Sequence, residues 1–204
     1  MVYNCTQQIE TCFAECGNDG EFVRHDRAVP YSLIGVRTTS GNLIFTTKPA
    51  TLSALFEACN VTDQLGIVGR YGLPDAGDVR WIRSLARGHS LAFLGDMDPV
   101  DLMIFVWLRE KLRPIPIAHL GINDEFLKVL RIDSIKARLQ AMAPSEEKSV
   151  PVLGKIFLDV RDAVGQKCAR VLERRQKLEL ESILVAKLNA EQFLQAVMSS
   201  RRNP

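Results

Sequence analysis

The chain has 204 residues, 47% of them hydrophobic, and its 26 Lys plus Arg against 24 Asp plus Glu leave a net charge of only +2. That length supports one sizeable core, or one domain with an appendage. The charge balance excludes a chain that is basic throughout and leaves only a local basic patch open.

The longest apolar run of interest, LMIFVWL, lies between Asp101 and Arg109 and is far shorter than the roughly 20 residues that cross a bilayer. The start, MVYNCTQQIETC, has neither the basic nor the apolar segment of a signal peptide, so a cytoplasmic chain with no membrane partner is expected. The five cysteines cannot all pair with one another and are read as reduced thiols. Cys5, Cys12, Cys16 and His25 gather near the start, but their gaps do not follow the tight spacing of a zinc site.

In chain order, residues 1–28 read as an irregular appendage with a weak helical pattern from Thr6 to Glu15. YSLIGVR from Tyr31 reads as a strand, TTSGN as a hairpin-type turn, and NLIFTT as a second strand. Pro49 suits the first turn of the helix PATLSALFEAC. LGIVGR is a short apolar strand. Asp75 or Gly77 opens a helix with Val79, Ile82 and Leu85 at helical spacing. SLAFLG is wholly apolar, as a strand buried on both faces would be. Pro99 to Leu112 reads as a helix, and IPIAHL as a further strand. From Asp124 the pattern turns helical, with EEKSVPVLGK around Pro151 as a loop leading into it. Strand and helix alternate as in a parallel sheet wrapped by helices. The expected fold is therefore α/β and Rossmann-like: a core over 29–142, and a helical C-terminal part over 143–204 of the same domain.

The segment FLGDMDPVDLMIF places Asp96, Asp98 and Asp101 between two apolar runs. In a doubly wound sheet ligands sit outside the carboxyl ends of the strands, and a D-x-D there can present two carboxylates to a hard divalent cation such as Mg²⁺. The same residues also suit a helix start, with Asp98 as N-cap, Pro99 first and Asp101 in the first turn. Both readings stand at this point. Trp81 and Trp107 read as core residues, and His89 and His119 as surface or rim histidines. Arg80, Arg83 and Arg87 share one helix side, either as a solvated face or as a phosphate-contacting stripe. Arg170, Arg174, Arg175 and Lys177 read as the charged outer face of a C-terminal helix.

The wider pattern, GLPDAGDVRWIRSL, then FLGDMDP, then AHLGIND, resembles the Toprim domain of the topoisomerase VI A subunit and its meiotic double-strand-break relatives. The matching residues are Gly72, Pro74 and Asp75, then Arg80 and Arg83, then Asp96, Asp98 and Pro99. RQKLELESI, from Arg175 to Ile183, is similar to that family's closing helix, and EQFLQAV falls where its last helix lies. The resemblance covers roughly residues 40–200. It implies a Toprim-like fold that binds Mg²⁺ through Asp96 and Asp98 and contacts DNA, with Arg80, Arg83 and Lys48 near the phosphates, and it implies a homodimer or a protein partner.

The chain departs from the family's pattern at Thr47, where the family carries a metal-site glutamate, at Asp101 in place of glycine, and at Val79 in place of an arginine. The family's nucleophilic tyrosine belongs to a preceding winged-helix domain, and Tyr3, Tyr31 and Tyr71 have no such context. The expectation is a catalytically degenerate Toprim-like domain with a DNA-associated or scaffold role. Its Asp96 and Asp98 should project from the lip of the sheet into solvent. A Mg²⁺-dependent nuclease or phosphotransfer enzyme that uses Asp101 in place of the glutamate is the rival, with Glu57 as a weaker substitute. A non-catalytic protein- or ligand-binding α/β module is the third class.

Overall fold

The computed structural model of the chain describes residues 5–16, 22, 31–34, 41–53, 65–132, 138–156, 160–184 and 192. Apolar strands that need cover on both faces settle in the middle of a sheet, and three such strands organise this one. They are β2 (Gly41–Thr46), β3 (Leu65–Gly69) and β4 (His89–Leu94), with β1 (Ser32–Ile34) and β5 (Ile117–His119) at the edges. The order is β1-β3-β2-β4-β5. β3, β2, β4 and β5 run parallel, and β1 runs antiparallel to β3. With the helices that flank it, this is an α/β, Rossmann-like arrangement.

The hairpin expected between YSLIGVR and NLIFTT does not form. β1 pairs with β3, Leu33 opposite Val68, because both edges of β2 are already taken by β3 and β4.

The chain turns helical at residues 49–53 (α2). Helix α3 (Ala76–Leu85) starts from Asp75, whose side chain accepts from the N–H groups of Gly77 and Asp78, while Asp78 returns a bond to the Asp75 N–H. That reciprocal pair is a capping box. Helix α4 (Pro99–Leu112) is buried from Pro99 through Leu108. A helix apolar around most of its circumference needs cover on several sides, and α1 (Cys5–Cys16), α3 and α6 (Pro144–Ile156) pack against it.

Two expectations need correction here. The leader is not an irregular appendage where it is described. Ile9, Cys12 and Phe13 of α1 are buried, Phe13 meets the ring of Phe22 at 5.2 Å, and Glu10 accepts from Trp107 Nε1 at 2.9 Å. Pro151 lies inside α6 rather than in a loop. The side chain of Glu146 caps the helix at the Ala143 N–H, and Leu153 is buried in the core on the far side of the proline.

The C-terminal part continues as α5 (Asp124–Val129), α7 (Val160–Val164), α8 (Gln166–Glu173) and α9 (Leu180–Leu184). Gly165, at φ 84°, breaks the pattern between α7 and α8. A Cβ there would run into Asp124, which accepts from the N–H groups of Lys167 and Cys168. RQKLELESI is not one helix. Gln176–Lys177 (β7) pairs antiparallel with Gln140–Ala141 (β6), Leu178 bridges to Met97, and only then does α9 begin. Gln176 to Leu178 are held extended by those pairings, with Lys177 and Leu178 both buried. Among the described residues no helix is long and apolar enough to cross a membrane.

Candidate metal centre

β2 and β4 run side by side with Thr46 opposite Leu94, so the next residues, Thr47 and Gly95, leave the carboxyl edge of the sheet together. Asp98 then caps α4, accepting from the Asp101 N–H at 2.7 Å, with Pro99 in the first turn. The capping reading of Asp98 is therefore a fact of the structure. It also turns Asp101 back over the loop, where its Oδ2 accepts from the Asp96 N–H at 2.6 Å and from Thr47 Oγ1 at 2.7 Å.

Asp101 comes so close to Gly95 that a Cβ built there would lie 2.5 Å from its Oδ2 and 2.8 Å from the Phe93 ring. Gly95→Ala is expected to cost about 1–3 kcal/mol by overpacking. A denaturant melt checks it, and an unchanged midpoint would mean that Asp101 does not sit against this loop.

Asp96 is held from two directions. Its Oδ1 accepts from the Leu180 N–H at 2.8 Å, and its Oδ2 lies 2.7 Å from Lys48 Nζ. Lys48 also reaches Glu181 at 3.5 Å, and Thr51 Oγ1 donates to the same carboxylate at 2.7 Å. The Met97–Leu178 bridge brings the C-terminal segment to this spot.

Asp96, Asp98 and Asp101 are 2%, 6% and 5% exposed. This overturns the expectation that they project from the lip into solvent; the C-terminal segment and α4 cover them. One oxygen from each lies within 4.8 Å of the others, close enough to hold a single cation.

One ammonium faces three buried carboxylates, and the cluster therefore holds protons more tightly than free carboxylates do. Burial, then the neighbouring Asp101, pushes Asp96 up to about 7 against the opposing pull of Lys48. Burial, then Asp101 and Asp96, pushes Asp98 well above the usual range. Burial raises Asp101 too, although its bonds from the Asp96 N–H and Thr47 pull it back. For Lys48, burial favours the neutral amine, but Asp96 and Glu181 outweigh it and hold the ammonium charged. Glu181 is drawn below its ordinary value, burial being outweighed by its bonds from Thr51 and from its own backbone and by Lys48. These are the three causes expected of buried acids: desolvation, neighbouring charge and hydrogen bonding. Three close carboxylates deficient in positive charge suit a hard divalent cation.

Thr47 and Lys48 therefore join the three aspartates in one small pocket, with Tyr71 (56% exposed) and Glu179 also on its wall. Arg80 and Arg83 do not join them. Arg83 donates to the carbonyls of Lys111 and Arg113 at 2.6 and 3.2 Å, at the far end of α4. Asp75 is spent on capping α3.

His119 is not a rim histidine. Its ring lies 4.8 Å from Phe105 and 6.2 Å from Phe93, both ring nitrogens are covered and unpartnered, and burial lowers its pKa to about 4. Lys177 is not on an outer face either: it is buried against Glu146 at 3.2 Å. Arg170 and Arg174 are exposed as expected. Cys5, Cys12, Cys16 and Cys168 are free thiols. Tyr3, His25 and Glu57, and most of EQFLQAV, lie outside the described residues.

Sequence reasoning missed Glu179 and Glu181 as members of this site. No protein-family model matches the chain, and no curated protein matches it, so the geometry of the pocket and its neighbours carries the functional reading.

Proposed function

We propose that the chain is a Toprim-like domain in whose acidic corner Asp96 is paired with the chain's own lysine, and that it works by association with DNA, as a scaffold, rather than by hydrolysis. The observation that carries this reading is the contact of Lys48 Nζ with Asp96 Oδ2 at 2.7 Å, beside Thr47 at the strand end where the resembled family carries a glutamate. The hydroxyl of Thr47 is committed to Asp101, and a hydroxyl cannot supply the anionic ligand or general base that metal-assisted hydrolysis uses. Mg²⁺ then has to displace an ammonium already paired with Asp96, so its binding is weak.

Calorimetric titration with Mg²⁺ and Mn²⁺ tests this. Dissociation constants in the millimolar range or weaker are expected. Submillimolar binding that disappears in Asp96→Asn/Asp98→Asn would overturn it.

A second reading, a metal-dependent nuclease or phosphotransfer enzyme, is favoured by Glu179 lining the same pocket as the three aspartates. Incubation with supercoiled plasmid and Mn²⁺ separates the two: nicking abolished by Asp98→Asn supports the enzyme, and intact plasmid supports the scaffold.

A further inference from the structure

Arg83 does more than pack α3 against α4. By donating to the carbonyls of Lys111 and Arg113, it joins the C-terminal ends of two helices that both carry cations. Arg80, Arg83 and Arg87 lie at spacings of three and four on one side of α3 and the turn after it. Arg109, Lys111 and Arg113 lie at the end of α4. Arg80, Arg87 and Arg113 are exposed, and Arg83, Arg109 and Lys111 are half-buried.

Among the described residues, the carboxylates of Glu110 and Glu10 answer part of this group. Glu110 lies 2.8 Å from Arg113 and 3.7 Å from Arg109, and Glu10 lies 3.0 Å from Lys111. Among the described residues neither Arg80 nor Arg87 has an ion-pair partner. Among the described residues this surface therefore carries six cations against Glu10 and Glu110, in a chain whose net charge is only +2.

Cations also favour helix C-termini for the sake of the helix dipole, but that effect acts within a last turn and does not account for Arg80 or for Arg87 beyond the helix. Five of the six cations are arginines, whose planar forks suit phosphate oxygens.

We infer that this surface, at the amino edge of the sheet and about 20 Å along α4 from the acidic pocket, is where the chain docks on the phosphate backbone of duplex DNA. The inference rests on the association reading above and moves the contact to the opposite end of the domain from the aspartates. It also gives Arg80 and Arg83 the phosphate role expected of them at a different place.

The test compares wild type, Arg80→Gln/Arg87→Gln/Arg113→Gln, and the same three sites changed to Lys. Binding to a labelled duplex of about 20 base pairs is followed by anisotropy from about 50 to 200 mM salt. The Gln variant is expected to bind about tenfold or more weakly, with a salt slope reduced by about two to three. The Lys variant should keep most of that slope. Equal binding by wild type and the Gln variant would overturn this surface and leave DNA association standing. Absence of duplex binding by wild type would overturn both. Binding of phosphatidylserine vesicles through the same arginines, with no duplex binding, would overturn the assignment in favour of a membrane.

Discussion

Lys48→Met is expected to lower stability by about 1.4 kcal/mol more at pH 8 than at pH 5, because the carboxyl left without its partner keeps the proton that the wild type gives up about one pH unit below pH 8. Lys48 is 16% exposed and Asp96 2%, so solvent does little to screen the orphaned carboxylate. Asp96 titrates near 7 in the folded chain, burial being the main cause, against about 4 for an unperturbed aspartate. The folded state thus binds the proton more tightly than the unfolded state. The corresponding stability is complete below about pH 4 and is lost as pH rises through about 7.

Removing Lys48 moves the folded value higher still, so the variant's deficit should grow from pH 5, where Asp96 is protonated in both proteins, to pH 8, where only the variant keeps the proton. Urea unfolding at the two pH values measures this. Adding Asp96→Asn to Lys48→Met should recover most of the loss, since the partner then carries no charge to strand. A deficit that is the same at both pH values, or that Asp96→Asn does not relieve, would show that Lys48 is not paired with Asp96.

His119 produces the second large effect, with the opposite sign. Burial against Phe93 and Phe105 lowers its pKa to about 4, from about 6.5 in the unfolded chain. A depressed histidine contributes nothing against folding above the unfolded value and costs stability as pH falls toward the folded one, because only the unfolded state takes up the proton. At about 1.4 kcal/mol per pH unit the loss amounts to about 3 kcal/mol between pH 7 and pH 4.

The aspartates pull the other way over the same range, so the wild-type curve alone mixes the two. The difference between wild type and His119→Phe isolates the histidine. The variant is expected to gain about 3 kcal/mol on wild type as pH goes from 7 to 4. Parallel pH profiles of the two proteins would refute a neutral, buried imidazole at this position.

Much of the scaffold was legible because local pattern and tertiary environment agree. SLAFLG and LGIVG are apolar throughout, and the core of β4 and all of β3 are buried as that texture requires. Asp75 and Asp98 were readable as caps because capping is a matter of a few consecutive residues. The acidic triad was readable for the same reason, its members lying within six positions. The failures have physical causes too. RQKLELESI is similar to the family's closing helix, but its first half pairs with β6 and bridges to Met97 before α9 begins. The hairpin before β2 failed because a turn-like sequence does not say which strand edges are free. The resemblance put Arg80 and Arg83 near the acidic corner, whereas Arg83 reaches the other end of α4.

From residue order alone followed an α/β alternation, a buried central sheet and a carboxylate-rich turn at a strand's end, each set by interactions over one or two turns of chain. Folding in space supplied the rest: the lysine closing on Asp96, the Leu180 N–H reaching it across 84 positions, the burial that raises the acids, and the gathering of six cations at two helix ends. Charge compensation and desolvation depend on what surrounds a group in three dimensions, and distances along the chain do not encode those surroundings.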